Sequence, residues 1–291
     1  MINFINTFIN GLSLGGIYAM IALGYTMVYG IAKMLNFAHG DIIMVGGYTL
    51  FVTLGLFGTP ILAIICAIIL CGLLGILMEK LAYKPLRGAS PLAVLITAIG
   101  VSYLLQSLAQ IIFGAGTKFV KMPYWGSITL GSLRIQVYTL VTLVASIVIM
   151  IALSIFIKYS KTGRAMIAVS EDRAASELMG INVNTIITIT FLIGAMLAAV
   201  ASTFYLLKAP SISPTFGSMP GIKAFTAAVI GGIGSIPGAM VGGILLGVIE
   251  VFCNSIPAIA PYTDAIEFTI LIIILLVRPT GLLGKKRREK V

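Results

Sequence analysis

Charge is what this sequence has least of. Asp, Glu, Lys and Arg make up 10% of its 291 residues and only 9 are acidic, whereas a soluble domain carries roughly 25% charged residues. No polar stretch is long enough to bury a core of its own, so no soluble domain is expected. There is a single histidine, His39, and one imidazole without clustered ligands is poor ground for a metal site. Three cysteines, Cys66, Cys71 and Cys253, lie in apolar surroundings. Their spacing suggests neither zinc nor a redox pair, and they read as small buried hydrophobes. No GxxxxGK[ST] occurs, so the chain lacks that phosphate-cradling loop and is not expected to hydrolyse ATP by that route. No cofactor is expected on it. The N-terminus has no basic region ahead of its apolar run, so the first span is expected to stay in the mature protein.

What is present is apolar. Hydrophobic residues make up 59% of the chain, in uncharged runs of the length that crosses a bilayer, about 18 residues or more. These runs are continuous and not alternating, which argues against a β-barrel. The fold class expected is an all-α polytopic membrane protein, one domain over 1–291, with about seven or eight transmembrane helices. Spans are placed at 8–31, 41–58, 60–79, 91–113, 137–157, 185–207 and 260–277. The segment 222–253 is apolar but interrupted by GGIGSIPG, where Gly231, Gly232, Gly234, Pro237 and Gly238 break a helix. It is expected as a broken or re-entrant segment.

The net charge of +10 sits beside spans, where it orients the chain by the positive-inside rule and not by binding nucleic acid. With the loop 158–184 in the cytoplasm, Lys33, Lys80, Lys84 and Arg87 also fall inside. Lys118, Lys121, Arg134, Lys208 and Lys223 fall outside. A 222–253 segment that dips in and returns puts the terminal KKRREK in the cytoplasm and the N-terminus outside. Gly234, Gly238 and Gly242 stand four apart, as do Gly243 and Gly247, and Gly11 and Gly15. That spacing marks one helix face for close packing, or a thin wall beside a path.

The loop 158–184 is the charged exception. Lys158, Lys161, Arg164, Glu171, Asp172, Arg173 and Glu177 fall within 20 positions. Ser170 reads as an N-cap, Glu171 and Asp172 as first-turn acids, and Gly180 as the C′ residue of a short helix over 171–179. Such a helix is marginal alone in water. It is held either by the protein's own membrane surface or by a partner, with Ala174, Ala175, Leu178 and Met179 offering a small apolar contact.

GRAMIAVSEDRAASELMGINV, 163–183, resembles the coupling loop of the branched-chain amino-acid ABC transporter permease family. GLSLGGIYAMIALGYTMVYGIAKMLNFAHGD at 11–41, GGIGSIPGAMVGGILLG at 231–247 and VRPTGLLG at 277–284 resemble the same family. The likeness covers nearly the whole chain and is closest to the smaller permease of a pair. It matches the general importer pattern only loosely, because Glu171 is separated from Ala174-Ala175 and Gly180 comes five residues after Ala175. The resemblance implies a non-enzymatic permease subunit of a bacterial inner-membrane importer. Its implied partners are a second homologous permease, two cytoplasmic ATPases that carry ATP and magnesium, an extracytoplasmic solute-binding protein and an amino-acid substrate. Urea or short amides are carried by a related branch. An ion-coupled carrier or channel, and an intramembrane enzyme, are the readings from other classes.

Along the path, Tyr18, Tyr48, Thr97 and Gln106 are candidate lining residues. Gln106 and Gln110 share a helix face that should look into the bundle or the path. Asn36, His39 and Asp41 either cap and pin the junction of two spans or serve as a gate or partner contact. Glu79, Glu250 and Glu267 fall near predicted span ends and Asp264 beside a loop, so no coupling carboxylate is evident mid-membrane.

Overall fold

In a computed structural model that describes residues 2–123, 125–130 and 133–284, the chain is a bundle of eleven helices. They are α1 (Ile2–Ala32), α2 (His39–Phe57), α3 (Pro60–Met78), α4 (Pro91–Phe113), α5 (Val137–Tyr159), α6 (Lys161–Glu171), α7 (Arg173–Leu178), α8 (Val183–Lys208), α9 (Ser218–Gly231), α10 (Ile236–Asn254) and α11 (Thr263–Val277). Eight are long and apolar enough to cross a membrane: α1 to α5, α8, α10 and α11, the last counted with the 3₁₀ turn before it. The seven expected spans are all there, and α10 is the eighth. Strands β1 (Lys118–Phe119), β2 (Ser127–Leu130), β3 (Leu133–Gln136) and β4 (Ser211–Ile212) form two short antiparallel pairs, β1–β4 and β2–β3. The β1–β4 pair ties the segment after α4 to the segment after α8.

From Leu14 to Ala32 α1 is apolar around its whole circumference, and such a helix must be surrounded. Every residue from Ile17 to Gly24 is buried, with α5, α8, α9 and α10 packed about it. Its longest contact is with α10, which runs antiparallel along it through glycines. A Cβ on Gly15 would lie 2.6 Å from Ile244 Cα and 2.8 Å from its carbonyl oxygen. Gly11 meets Val248, Gly243 meets Ala19, and Gly247 meets Gly15 in the same way. The four-residue glycine spacing is thus a helix-packing seam.

The glycine-rich segment breaks at 232–235. Gly232 and Gly234 have φ of 111° and 92°, which side chains disfavour. Ser235 Oγ then accepts from Gly238 N at 3.2 Å to cap α10, with Pro237 in its first turn. α9 and α10 fold back on each other, Gly231 against Gly238 and Ala227 against Gly242. The two halves are unequal. α9 is 14 residues, about 21 Å, whereas the 19 residues of α10 reach about 28 Å. Only α10 is long enough to span.

Residues 281–284 close this break. Leu282 N donates to Ile230 O at 2.8 Å and Leu283 N to Gly231 O at 2.9 Å, satisfying carbonyls left over at the end of α9. Gly30 of α1 lies beside Gly234. The end of α1, the α9–α10 break and residues 281–284 therefore gather at one end of the bundle. The terminal basic cluster, Lys285 to Arg288, lies outside the described residues.

Replacing Gly15 by Ala is expected to force α1 and α10 apart and cost about 1–3 kcal/mol. The same change at Gly55, whose added Cβ meets nothing within 4 Å, should be neutral or slightly stabilising. Thermal unfolding of the two detergent-solubilised variants checks this, and equal midpoints would mean that the seam is not tightly packed.

Candidate functional site

The charged loop forms two helices, α6 and α7, in place of the single helix expected over 171–179. Ser160 Oγ accepts from Gly163 N at 2.8 Å and starts α6. Met166 and Val169 are buried beneath it, and this apolar face carries the helix through Ser170 to Glu171. Ser170 is therefore inside α6, its hydroxyl donating to Ile167 O at 2.7 Å, and Glu171 is the last residue of that helix. The N-cap of α7 is Asp172. Its backbone is extended (φ −151°, ψ 114°) and its Oδ1 accepts from Ala175 N at 3.0 Å. The cap falls where the helix bends, two residues later than the composition of the stretch suggests.

Gly180 does end the helix as expected. Its φ is 82°, its N–H donates to Glu177 O at 3.0 Å, and Ile181 N donates to Ser176 O at 3.0 Å. Leu178 and Met179 at this tip are 89% and 83% exposed. Ala174, Ala175, Glu171, Asp172 and Glu177 are exposed around them. Arg173 points the other way. Its Nη2 donates to Ile31 O at 3.1 Å and also to Ala32 O, the carbonyls that end α1, where a cation suits the helix dipole. Partial burial, with Arg87 nearby, pushes its pKa down from the usual guanidinium value. The loop thus grips α1 with one side and presents an apolar tip with the other.

A second cluster lies at the start of α2. Asn36 Oδ1 accepts from Tyr83 OH at 2.7 Å. His39 is 1% exposed, its ring edge-on to Tyr25 with centroids 4.7 Å apart. It packs against Gly24, where a Cβ would strike its Nε2. Asp41 Oδ1 accepts from Gln106 Nε2 at 2.9 Å, and the same amide reaches Ser102 at 3.2 Å and Ser218 at 3.5 Å. These bonds join α2, α4 and the first turn of α9. Tyr48, two turns along α2, stacks on Phe113 of α4 (centroids 4.2 Å, 10° between planes). Gln106 and Tyr48 therefore lie on one α2–α4 seam. Thr97 is half-buried on α4. Gln110, expected to look inward with Gln106, is exposed, because Ala109 and Phe113 take the positions that face α2 along that part of α4.

Tyr18 is elsewhere. Its hydroxyl donates to Glu250 Oε2 at 2.7 Å, in a cluster that sequence reasoning missed. Lys223, expected in an outer loop, is 7% exposed within α9. Its Nζ lies 3.1 Å from Glu250, 2.8 Å from Asp264 and 3.3 Å from Glu267. Glu267 is fully buried and Asp264 half-exposed. One ammonium, with three protons to donate, thus gathers three carboxylates from α10 and α11. The available signal was a Lys in a segment otherwise apolar, and two glutamates inside apolar helices. Glu79, expected at a span end, is also fully buried, paired with Arg87 and accepting from Thr188 Oγ1 at 2.8 Å.

Comparison with known proteins places these features in context. Residues 7–275 match the family model described as branched-chain amino acid transport system / permease component. The high-affinity branched-chain amino acid transport system permease protein BraD of Pseudomonas aeruginosa is 43% identical over 303 residues, 99% of this chain and 98% of that protein. LivH of Escherichia coli K12, which bears the same description, is 41% identical with the same coverage. Among solved structures, PsaBC from Streptococcus pneumoniae in complex with Fab matches with a TM-score of 0.51 over 93% of this chain and 91% of that one. At 16% identity, that likeness concerns the fold alone.

Lys223→Met leaves three carboxylates without their shared cation. Breaking a buried ion pair in this way costs about 3–5 kcal/mol. Adding Glu267→Gln to that variant should recover part of the loss, and Glu267→Gln alone should cost less than Lys223→Met. Unfolding midpoints of the purified proteins test this ranking. A Lys223→Met protein as stable as the parent would mean that the cluster holds nothing together.

Proposed function

The chain belongs to the branched-chain amino acid transport permease family, and from that premise we propose that it is the membrane-spanning permease subunit of an ATP-driven importer. Its substrates on this reading are branched-chain or chemically related amino acids, taken across the bacterial inner membrane by alternating access. A solute-binding protein delivers substrate to the outer face. This chain and a homologous permease enclose the path, and two cytoplasmic ATPases, holding ATP and magnesium, drive it. The observation that carries the reading is the tip of α7, an apolar pair more than four-fifths exposed on the one strongly charged loop of a membrane-embedded chain.

The geometry supports a direct transmission. An ATPase that grips Leu178 and Met179 pulls on α7, and Arg173 links α7 to the last carbonyls of α1. α1 is locked to α10 along the glycine seam, so α1 and α10 move as one body. With α7 in the cytoplasm, the end of α1, the α9–α10 break and residues 281–284 share that side, which supports a cytoplasmic C-terminus. The path itself is assigned to the region of the Asp41–Gln106–Ser218 cluster, where α9 begins as a short helix. A zwitterion with an apolar side chain passes best along weak polar contacts of this kind, since fixed charges would retain it. Nucleotide and binding protein must each favour one state over the other, or no work is transferred.

One observation favours a second reading, an ion-coupled carrier. Buried carboxylates in membrane helices are the usual mark of coupling sites, and Glu267, with the partly buried Glu250 beside it, qualifies. Lys223 already neutralises them in part, so the importer reading is preferred. Transport by this chain alone in proteoliposomes would reverse that preference.

Gly180→Pro cannot keep the positive φ that ends α7, because proline holds φ near about −65°. Glu171→Lys reverses a charge beside the exposed tip. Both variants are expected to insert normally yet abolish transport and uncouple the ATPases. Normal uptake by both would remove the docking role from this loop. Affinity purification from gently solubilised native membranes comes before either: two P-loop ATPases and a homologous permease should accompany the chain.

A further inference from the structure

The exposed faces of the outer helices differ in chemistry. On α3 every exposed residue from Ile61 to Leu77 is Ile or Leu, and on α5 those from Val141 to Ile155 are Val, Ile or Ala. These suit lipid. On α4 the exposed positions between Gly100 and Gln110 include a small or polar set, Gly100, Tyr103, Ser107 and Gln110, bordered by the exposed aliphatics Ile99, Leu104 and Ile111 and preceded on the same face by Ile96. The 3-4-3 spacing of the set aligns it on one face. Beside this stripe, separated from it around the helix, Leu108 and Ile112 form an aliphatic face like those of α3 and α5.

Tyr103 is 66% exposed and lies at the middle of α4, between Pro91 and Phe113, so it is not part of an aromatic belt at a membrane surface. Neither its hydroxyl nor the Gln110 amide makes a hydrogen bond among the described residues. In hydrocarbon the mid-span Tyr103 hydroxyl would be left without a partner, at a cost of several kcal/mol on the order of those in apolar transfer. Gly100 has nothing within 4 Å of the place where a Cβ would be, which leaves room for another backbone. Small residues for close approach, flanked by hydroxyl and amide groups for interhelical bonding, are the composition of a helix–helix interface inside a membrane.

We propose that the Gly100–Tyr103–Ser107–Gln110 stripe of α4 is the seat of a membrane helix from the homologous permease subunit. This rests on the two-permease reading above and adds to it the surface by which the pair is joined. Protein occupies the stripe because its polar groups need fixed partners that lipid tails cannot offer. The occupant is a helix because only a structure with its own backbone satisfied can lie beside α4 at this depth. Seated there, it also walls the Asp41–Gln106–Ser218 cluster on its open side, since Gln106 borders the stripe on α4.

The test is photo-crosslinking in intact membranes of cells that express the whole transporter. p-Benzoylphenylalanine is placed at Tyr103, at Gln110 and, as a lipid-facing control, at Ile112. The cross-linked fraction at Tyr103 and Gln110 should exceed that at Ile112 several-fold, and mass spectrometry of the product should find the homologous permease. If that permease co-purifies but is not cross-linked, or if the product contains only copies of this chain, the assignment of the stripe is overturned while the importer reading stands. If Ser107→Cys is instead modified by a membrane-impermeant thiol reagent in the assembled transporter, the stripe lines water and the assignment is likewise overturned. If no second permease accompanies the chain, the importer reading fails and takes this inference with it.

Discussion

A helix that is apolar on every side from Leu14 to Ala32 has no stable place at the edge of a bundle that also offers lipid-facing helices of simpler composition. α1 takes the centre, and most of the structure follows from that. Hydrophobic attraction between helices is absent in lipid, so what holds neighbours to α1 is close packing. The glycines of α1 and α10 bring the two backbones within contact and make them one rigid pair. Around it α5, α8 and α9 complete the enclosure, and α3, α4 and α11 are left outside with most of their surface exposed.

The polar groups inside this bundle obey a second constraint: each must find a partner within the protein. Lys223 gathers Glu250, Asp264 and Glu267 while Tyr18 bonds Glu250; Asp41 meets Gln106; Asn36 meets Tyr83; Glu79 meets Arg87 and Thr188. Apart from Lys223–Glu250, which ties the start of α9 to the end of α10, each of these links joins elements that are not consecutive along the chain or fixes the turn between two that are. They define which helices are bonded to each other. The α2–α4 seam and the Lys223 cluster converge on α9 from different sides, through Ser218 and Lys223, so this short helix connects them. Its other end is held by residues 281–284.

In the proposed importer, Arg173 gives the charged loop a role beyond offering a surface. A docking helix that only rested on the membrane face would transmit little, since an exposed short helix yields before it pulls. Bonded to the final carbonyls of α1, α7 is tied to the central element of the bundle, which is what the proposed docking requires. The apolar tip of Leu178 and Met179 and the inward guanidinium are the two ends of one lever, about a turn and a half of helix apart.

Much of this was legible in the sequence. Length and hydropathy alone place the seven expected spans, because a membrane helix must be apolar over its whole crossing. The break at GGIGSIPG is equally local, since glycine and proline act on their own backbone. Gly180 ends α7 for the same reason. What the sequence left open depends on neighbours. Helical periodicity says which residues share a face but not what that face meets, so Gln106 and Gln110 read alike although one is bonded to Asp41 and the other is exposed. Ser170 and Asp172 are both good caps, and the buried underside of α6 chose between them. Lys223 read as a loop cation because its three carboxylates lie on other helices, far along the chain. A charge in an apolar segment is stable only when packing brings it a partner, and packing is what the tertiary structure alone decides.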